Sequence, residues 1–136
     1  MLAPTKILVP TDFSSYSDTA LRQAFDIAKQ YMAQVYVVHV IHGESYYDDI
    51  EKQMIEGARK KLQQEVDKFP QTKELEVFTQ VVNGNTSEAI LAEERSKGID
   101  LIVIASLGRS GIAKYLIGSV ARNVLKGAKC PVLLTK

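Results

Sequence analysis

The chain has 136 residues, and its 17 Lys and Arg residues nearly balance its 16 Asp and Glu residues. This length predicts one domain, residues 1–136, with enough chain to bury a core. The balanced charge argues against a general nucleic-acid binder, which usually carries a basic excess. The lone Cys130 excludes an intrachain disulfide and a thiolate metal cluster within one chain. The N-terminal apolar run, residues 7–9, is too short for a signal peptide or a membrane span, so we expect a cytoplasmic protein.

The first half of the chain is predicted as strand, helix, strand, helix. Residues 6–10 form a short apolar run, and residues 35–41 are almost continuously apolar, as in a strand covered on both faces. Between them, apolar residues recur at spacings of three and four, which predicts a helix that Ser14 or Ser17 can cap. Residues 47–69 repeat an apolar residue every four positions and predict a second helix.

The second half continues the alternation. Residues 75–82 alternate apolar and polar side chains, which suits an edge strand. A third helix is expected to open at Thr86 or Ser87 and to end at Gly98. Residues 101–105 predict a central strand, residues 119–125 a fourth helix and residues 131–135 a last strand. Five strands and four crossovers predict a doubly wound, parallel α/β sheet with helices on both faces. Ligands of such sheets bind at the carboxyl ends of strands, where the strand order reverses.

Two predicted strand ends carry residues suited to a ligand. Residues 10–12 follow the first strand, and residues 108–111 follow the fourth, before Gly118 and Ser119 open a helix. Glycine lets main chain approach a phosphate, a helix N-terminus offers unbonded amides, and serine adds a hydroxyl donor. The alternative is that the glycines only shape a loop, Ser119 caps a helix, and Asp12 forms an Asx-turn. Neither common nucleotide-binding glycine motif is present.

Motifs spread along the chain resemble those of the universal stress protein family. They are Ile7-Leu8-Val9-Pro10-Thr11-Asp12-Phe13-Ser14 with Ser17, Ala20 and Leu21; His39-Val40-Ile41; Asn83-Gly84-Asn85 with Ala89 and Ile90; residues 100–104; and Pro131-Val132-Leu133-Leu134. The resemblance covers essentially the whole chain. It implies the strand order 3-2-1-4-5, which brings the ends of strands one and four to one crevice.

The ATP-binding branch of that family carries G-x2-G-x9-G-[ST] after the fourth strand. The matching register here is Ala105-x2-Gly108-x9-Gly118-Ser119, so alanine stands at the first glycine position. A positive φ at that position would cost alanine roughly 1–2 kcal/mol, about a tenfold loss of affinity. A negative φ would make alanine cost little. The sequence leaves these two outcomes open.

The resemblance implies an adenine nucleotide ligand, ATP or AMP, with Mg²⁺ accompanying its phosphates rather than bound by protein ligands. Asp12 would meet the ribose or adenine end, Val40 would contact adenine through its main chain, and the glycine loop would surround the phosphates. The implied binding residues are Pro10, Thr11, Asp12, Val40, Ala105, Gly108, Arg109, Gly111, Gly118, Ser119 and Val120.

Three functions are compatible with these sequence features. The first is an adenine-nucleotide-binding stress-response or regulatory protein acting as a homodimer through the edge strand Val132 to Thr135. The second is a nucleotide-free dimeric interaction module, which Ala105 keeps open. The third is a weak ATPase, although no catalytic set is visible and His39 is expected to be a satisfied core histidine. No nucleic-acid or membrane partner is expected, and protein partners remain unidentified.

Overall fold

The computed structural model describes residues 3–42, 48–107 and 117–136. Within these ranges the chain alternates strands and helices. The elements are β1 Lys6–Pro10, α1 Ser15–Tyr31, β2 Gln34–Ile41, α2 Asp48–Asp67, a 3₁₀ turn Pro70–Glu74, β3 Val77–Asn83, α3 Thr86–Lys97, β4 Leu101–Ala105, α4 Ser119–Gly127 and β5 Val132–Thr135. The third strand starts two residues later than predicted because the 3₁₀ turn occupies the preceding segment.

The sheet is parallel throughout and has the order β3-β2-β1-β4-β5, which confirms the predicted fold class. β1 lies at the centre, β4 beside it, and β3 and β5 form the two edges. The register between β1 and β2 ends at Pro10 and Val38, whereas β2 and β3 remain paired as far as Ile41 and Asn83. β2 therefore runs past the end of β1, and this stagger shapes the site described below.

Two apolar clusters sandwich the sheet. The first lies under α1 and α2, and its largest fully buried side chains include Phe25, Leu21 and Leu62. The second lies under α3 and α4, where Ile90 and Val124 pack against sheet residues. Successive side chains of each interior strand point to opposite faces and pack in one cluster or the other, as the continuous apolar runs predict. Both faces of the sheet are thus covered, which leaves the strand ends for ligands.

Helix ends follow local capping chemistry. Ser14 caps α1 by accepting a hydrogen bond from the amide of Ser17, one of the two predicted choices. α3 begins at Thr86, one of the two predicted positions, and the Asn85 side chain caps it by accepting from the Glu88 amide. Gly98 ends α3 in the left-handed conformation, as predicted. None of the helices in the described ranges is long and apolar enough to cross a membrane.

Candidate functional site: a crevice at the carboxyl edge of the sheet

A cavity of about 630 Å³ opens where β1, β2 and β4 end, beside the N-termini of α3 and α4. Eight of the predicted binding residues line it: Pro10, Thr11, Asp12, Val40, Ala105, Gly118, Ser119 and Val120. The other three, Gly108, Arg109 and Gly111, lie outside the described residues. The structure therefore brings both predicted strand ends to one cavity, which we call the crevice.

The turn after β1 is held by short hydrogen bonds. The Thr11 amide donates to the carbonyl of Val38 at 2.9 Å, which extends the β1–β2 ladder by one bond. The Thr11 hydroxyl accepts from the Phe13 amide at 3.1 Å. Asp12 accepts from the Ser14 amide at 3.0 Å, so the Asx-turn considered from the sequence is formed. Asp12 nevertheless lines the crevice, so the turn and a position beside a ligand coexist.

Val40 presents main chain to the crevice. In a strand, the amide and carbonyl of one residue point to one side, and those of the next residue point to the other. Since the Val38 carbonyl faces β1, Val40 directs its own amide and carbonyl to the same side. β1 has already ended there, so among the described residues no strand pairs with Val40 on that side. The stagger leaves one donor and one acceptor at the crevice wall.

The N-terminus of α4 forms the opposite wall. Gly118 is its N-cap with φ −61°, and among the described residues no side chain caps the first amides. The Gly118 amide donates to the carbonyl of Ser106 at 2.7 Å, and the Ser106 amide donates to Thr135 at 2.8 Å. These two bonds join the start of α4 to Ser106 and Ser106 to β5. Unbonded amides at the start of a helix are suited to an anion.

Ala105 is an ordinary strand residue. It ends β4, pairs with Thr135 and packs partly against the core under α1. In the part of the chain that the structure describes, the non-glycine residues with positive φ are Phe13 and Met32. The backbone conformation at Ala105 therefore needs no glycine, and the condition that would have cost a tenfold loss of affinity is not met.

Several crevice residues escaped the sequence prediction. His39 is half-buried rather than part of the core, and its Nδ1 lies 2.7 Å from the Thr11 carbonyl. His42 places Nε2 2.6 Å from the Thr86 hydroxyl, across the crevice end between β2 and α3. Met54 and Ile90 add apolar walls. The sequence does not single out these residues, because they lie within or beside apolar runs. Whether His39 and His42 reach the crevice depends on the stagger of the strand ends.

The charge inside the crevice is sparse. Among the described lining residues, Asp12 is the only Asp, Glu, Lys or Arg. No group of three or more metal-ligating side chains occurs in the ranges that the structure describes. From these residues, an anion would be bound by main-chain amides, while a carboxylate and apolar walls suit a neutral polar group and a flat ring.

A buried carboxylate lies outside the crevice, on α3. Glu94 accepts from the amides of Lys129 and Cys130 at 2.9 and 3.0 Å and so holds the turn that leads into β5. Burial raises the pKa of Glu94, but hydrogen bonds from the Cys130 thiol and the two amides outweigh it and hold the pKa below its ordinary value. Burial and the neighbouring carboxylate raise the pKa of the Cys130 thiol to about 12.

Known proteins share this architecture. The profile of the Universal stress protein family matches residues 4–136. Universal stress protein MJ0531 of Methanocaldococcus jannaschii is 32% identical over 96% of this chain and 81% of its own length. The solved structure of MJ0577 from the same archaeon has a TM-score of 0.88 at 27% identity, covering 99% of this chain and 97% of that one. A universal stress protein from Archaeoglobus fulgidus, solved in complex with dAMP, has a TM-score of 0.73 at 25% identity, covering 99% and 100%.

Proposed function

This chain belongs to the universal stress protein family, and on that premise we propose that it is a cytoplasmic stress-response or regulatory protein that binds ATP or AMP in the crevice. Residues 1–136 act as one nucleotide-binding domain. The observation that carries the proposal is the meeting of three features in one cavity: the main-chain edge of Val40, the Asp12 turn and the N-terminus of α4, which no described side chain caps. The complex of the related A. fulgidus protein with dAMP supports the same ligand class.

The base is bound at the Val40 edge. Adenine carries an acceptor, N1, beside a donor, the 6-amino group, and Val40 offers an amide and a carbonyl on one side of its strand. Met54, Ile90 and the Val40 side chain supply apolar surface for the two faces of the ring. Flat aromatic ligands bind in clefts with this mixture of apolar walls and few polar groups.

The sugar and the phosphates extend from Val40 across the crevice. Asp12 accepts hydrogen bonds from ribose hydroxyls, since a carboxylate is a strong acceptor. The amides at the start of α4 and the Ser119 hydroxyl bind phosphate oxygens. Gly108, Arg109 and Gly111 complete the phosphate end, and Mg²⁺ arrives with the phosphates. Binding, with at most slow hydrolysis, is the proposed activity.

Nucleotide extraction from purified protein, followed by calorimetric titration with ATP, ADP and AMP, tests this proposal. Asp12→Ala and Gly118→Ala should each weaken binding about tenfold or more, since each removes or obstructs a charge-assisted contact. Gly118 has φ −61°, so alanine keeps the backbone and only adds a methyl group. The exposed Asp67→Ala is the matched control. No binding at millimolar nucleotide would overturn the proposal, and unchanged affinity in both variants would move the site elsewhere.

A homodimer through β5 is the second part of the proposal. β5 is a sheet edge, and Leu133 on it is an exposed large apolar side chain. An apolar edge of this kind is stabilised by pairing with a second strand. Sedimentation at micromolar protein should show a dimer, and Leu133→Lys should shift it to a monomer. A wild-type monomer would refute the dimer, while a dimer without any nucleotide affinity would favour the interaction module.

A further inference from the structure

The side chain of His39 links β2 to the turn that carries Asp12. We propose that His39 is a positioning residue that holds Thr11 and Phe13, the residues on either side of Asp12, so that this carboxylate meets the ribose hydroxyls. The inference rests on the proposed nucleotide site and adds to it a residue that contributes through Asp12.

The first contact of His39 is to the residue before Asp12. Its Nδ1 lies 2.7 Å from the Thr11 carbonyl oxygen. A carbonyl can only accept, so Nδ1 carries the proton and donates. The Thr11 amide is itself bonded to Val38 at 2.9 Å. β2 therefore holds Thr11 at both its amide and its carbonyl, once through main chain and once through the imidazole ring.

The second contact is to the residue after Asp12. Phe13 has φ +66°, a left-handed conformation that is strained for an aromatic residue. Its ring centroid lies 4.2 Å from that of His39, and the ammonium of Lys61 on α2 lies 4.5 Å from the Phe13 centroid. These ring contacts offset the strain and keep Phe13 in this conformation.

Asp12 is thus bracketed by two residues that the same imidazole contacts. Its Oδ1 is bonded to the Ser14 amide, so the direction of the carboxylate follows the conformation of the turn. Without the His39 hydrogen bond and ring contact, the turn can relax to an unstrained conformation of Phe13, and Asp12 moves with it. The expected consequence is a loss of ribose recognition, with base and phosphate contacts retained.

The test compares the affinities of ATP and 2′,3′-dideoxy-ATP, since their ratio isolates the contribution of the ribose hydroxyls. Wild type should favour ATP by about tenfold, and His39→Gln should reduce that ratio to about twofold, because its donor reaches the Nε2 position instead. His39→Asn places a donor where Nδ1 stands and should retain a ratio within about threefold of wild type. Nitrogen chemical shifts of the wild-type ring should report the Nδ1-protonated tautomer.

The outcomes separate the two proposals. If wild type binds no ATP, the nucleotide function itself fails. If wild type binds ATP with a large ratio that His39→Gln leaves intact, nucleotide binding stands and the positioning role is overturned. A wild-type ratio of ATP to dideoxy-ATP affinity near one also overturns the positioning role, because Asp12 then makes no contact with the ribose hydroxyls that affects binding. A purely structural histidine would lower the melting temperature of both variants without changing the ratio.

Discussion

Replacing Ala105 with glycine restores the first glycine of the ATP-binding motif and tests whether the alanine limits ATP binding. If a positive φ were required there, glycine would relieve roughly 1–2 kcal/mol of strain and tighten ATP binding about tenfold. Ala105 instead lies in β4, paired with Thr135, and is absent from the described residues with positive φ. We therefore expect the affinity of Ala105→Gly to stay within about twofold of wild type.

The stability of the same variant should fall. Glycine in a strand costs roughly 0.5–1 kcal/mol relative to alanine, and the half-buried methyl group of Ala105 contributes part of the 0.8 kcal/mol typical of a buried methylene. The sum is about 1 kcal/mol in the free energy of unfolding, or about 4 °C in melting temperature.

Calorimetric titration and thermal unfolding measure the two quantities on the same samples. The exposed Ala92→Gly on α3 is the control, because it loses about 1 kcal/mol of helix stability away from the crevice. A tenfold gain in affinity for Ala105→Gly, with no gain for the control, would refute the conformational argument. Equal affinities of wild type and both variants would support it.

Three further predictions concern titratable groups. Because the pKa of Glu94 is lowered in the folded state, the Glu94 carboxylate stabilises the fold above its ordinary pKa, and this stability is lost as the pH falls through the folded pKa. Glu94→Gln should therefore reduce the fall of the unfolding free energy at acid pH. The exposed Glu56→Gln is the control and should leave that fall unchanged. Burial, then the charge of Glu65, raises the pKa of Asp18, so Asp18→Asn should raise the melting temperature at pH 7 and not at pH 3; an unchanged value at pH 7 would contradict this. The raised pKa of Cys130 predicts slow alkylation by iodoacetamide at pH 8 in native protein and fast alkylation in urea; equal rates would show an accessible thiolate.

Much of the fold follows from local patterns in the sequence. Apolar runs, the alternation along β3 and helical spacings predicted the five strands and four α-helices of the described ranges, because strands and amphipathic helices have different periods, whereas the 3₁₀ turn Pro70–Glu74 was not predicted. The strand order came from the family resemblance, since no residue pattern in one chain fixes which strands pair. The start of α3 at Thr86 was predicted, whereas its capping residue Asn85 was not singled out, because Asn85, Thr86 and Ser87 are all good caps in succession and only the backbone conformation selects one.

The crevice was only partly predictable. Asp12 follows β1, and Gly118 precedes the helix that comes after β4. The rule that ligands bind at strand ends therefore located both residues. His39 and the exposed edge of Val40 could not be located from their residue types. Their role depends on β2 extending past the end of β1, and that offset is decided by packing along the sheet.

The stagger between β1 and β2 has a consequence for how this protein tolerates change. The proposed base contact is made by peptide groups of Val40, which every residue other than proline can supply. Substitution at position 40 by isoleucine, threonine or leucine should preserve base recognition, while proline, which lacks the amide, should abolish it. A ligand contact of this kind survives drift in the side chains around it, so a chain can diverge widely in sequence and keep its ligand.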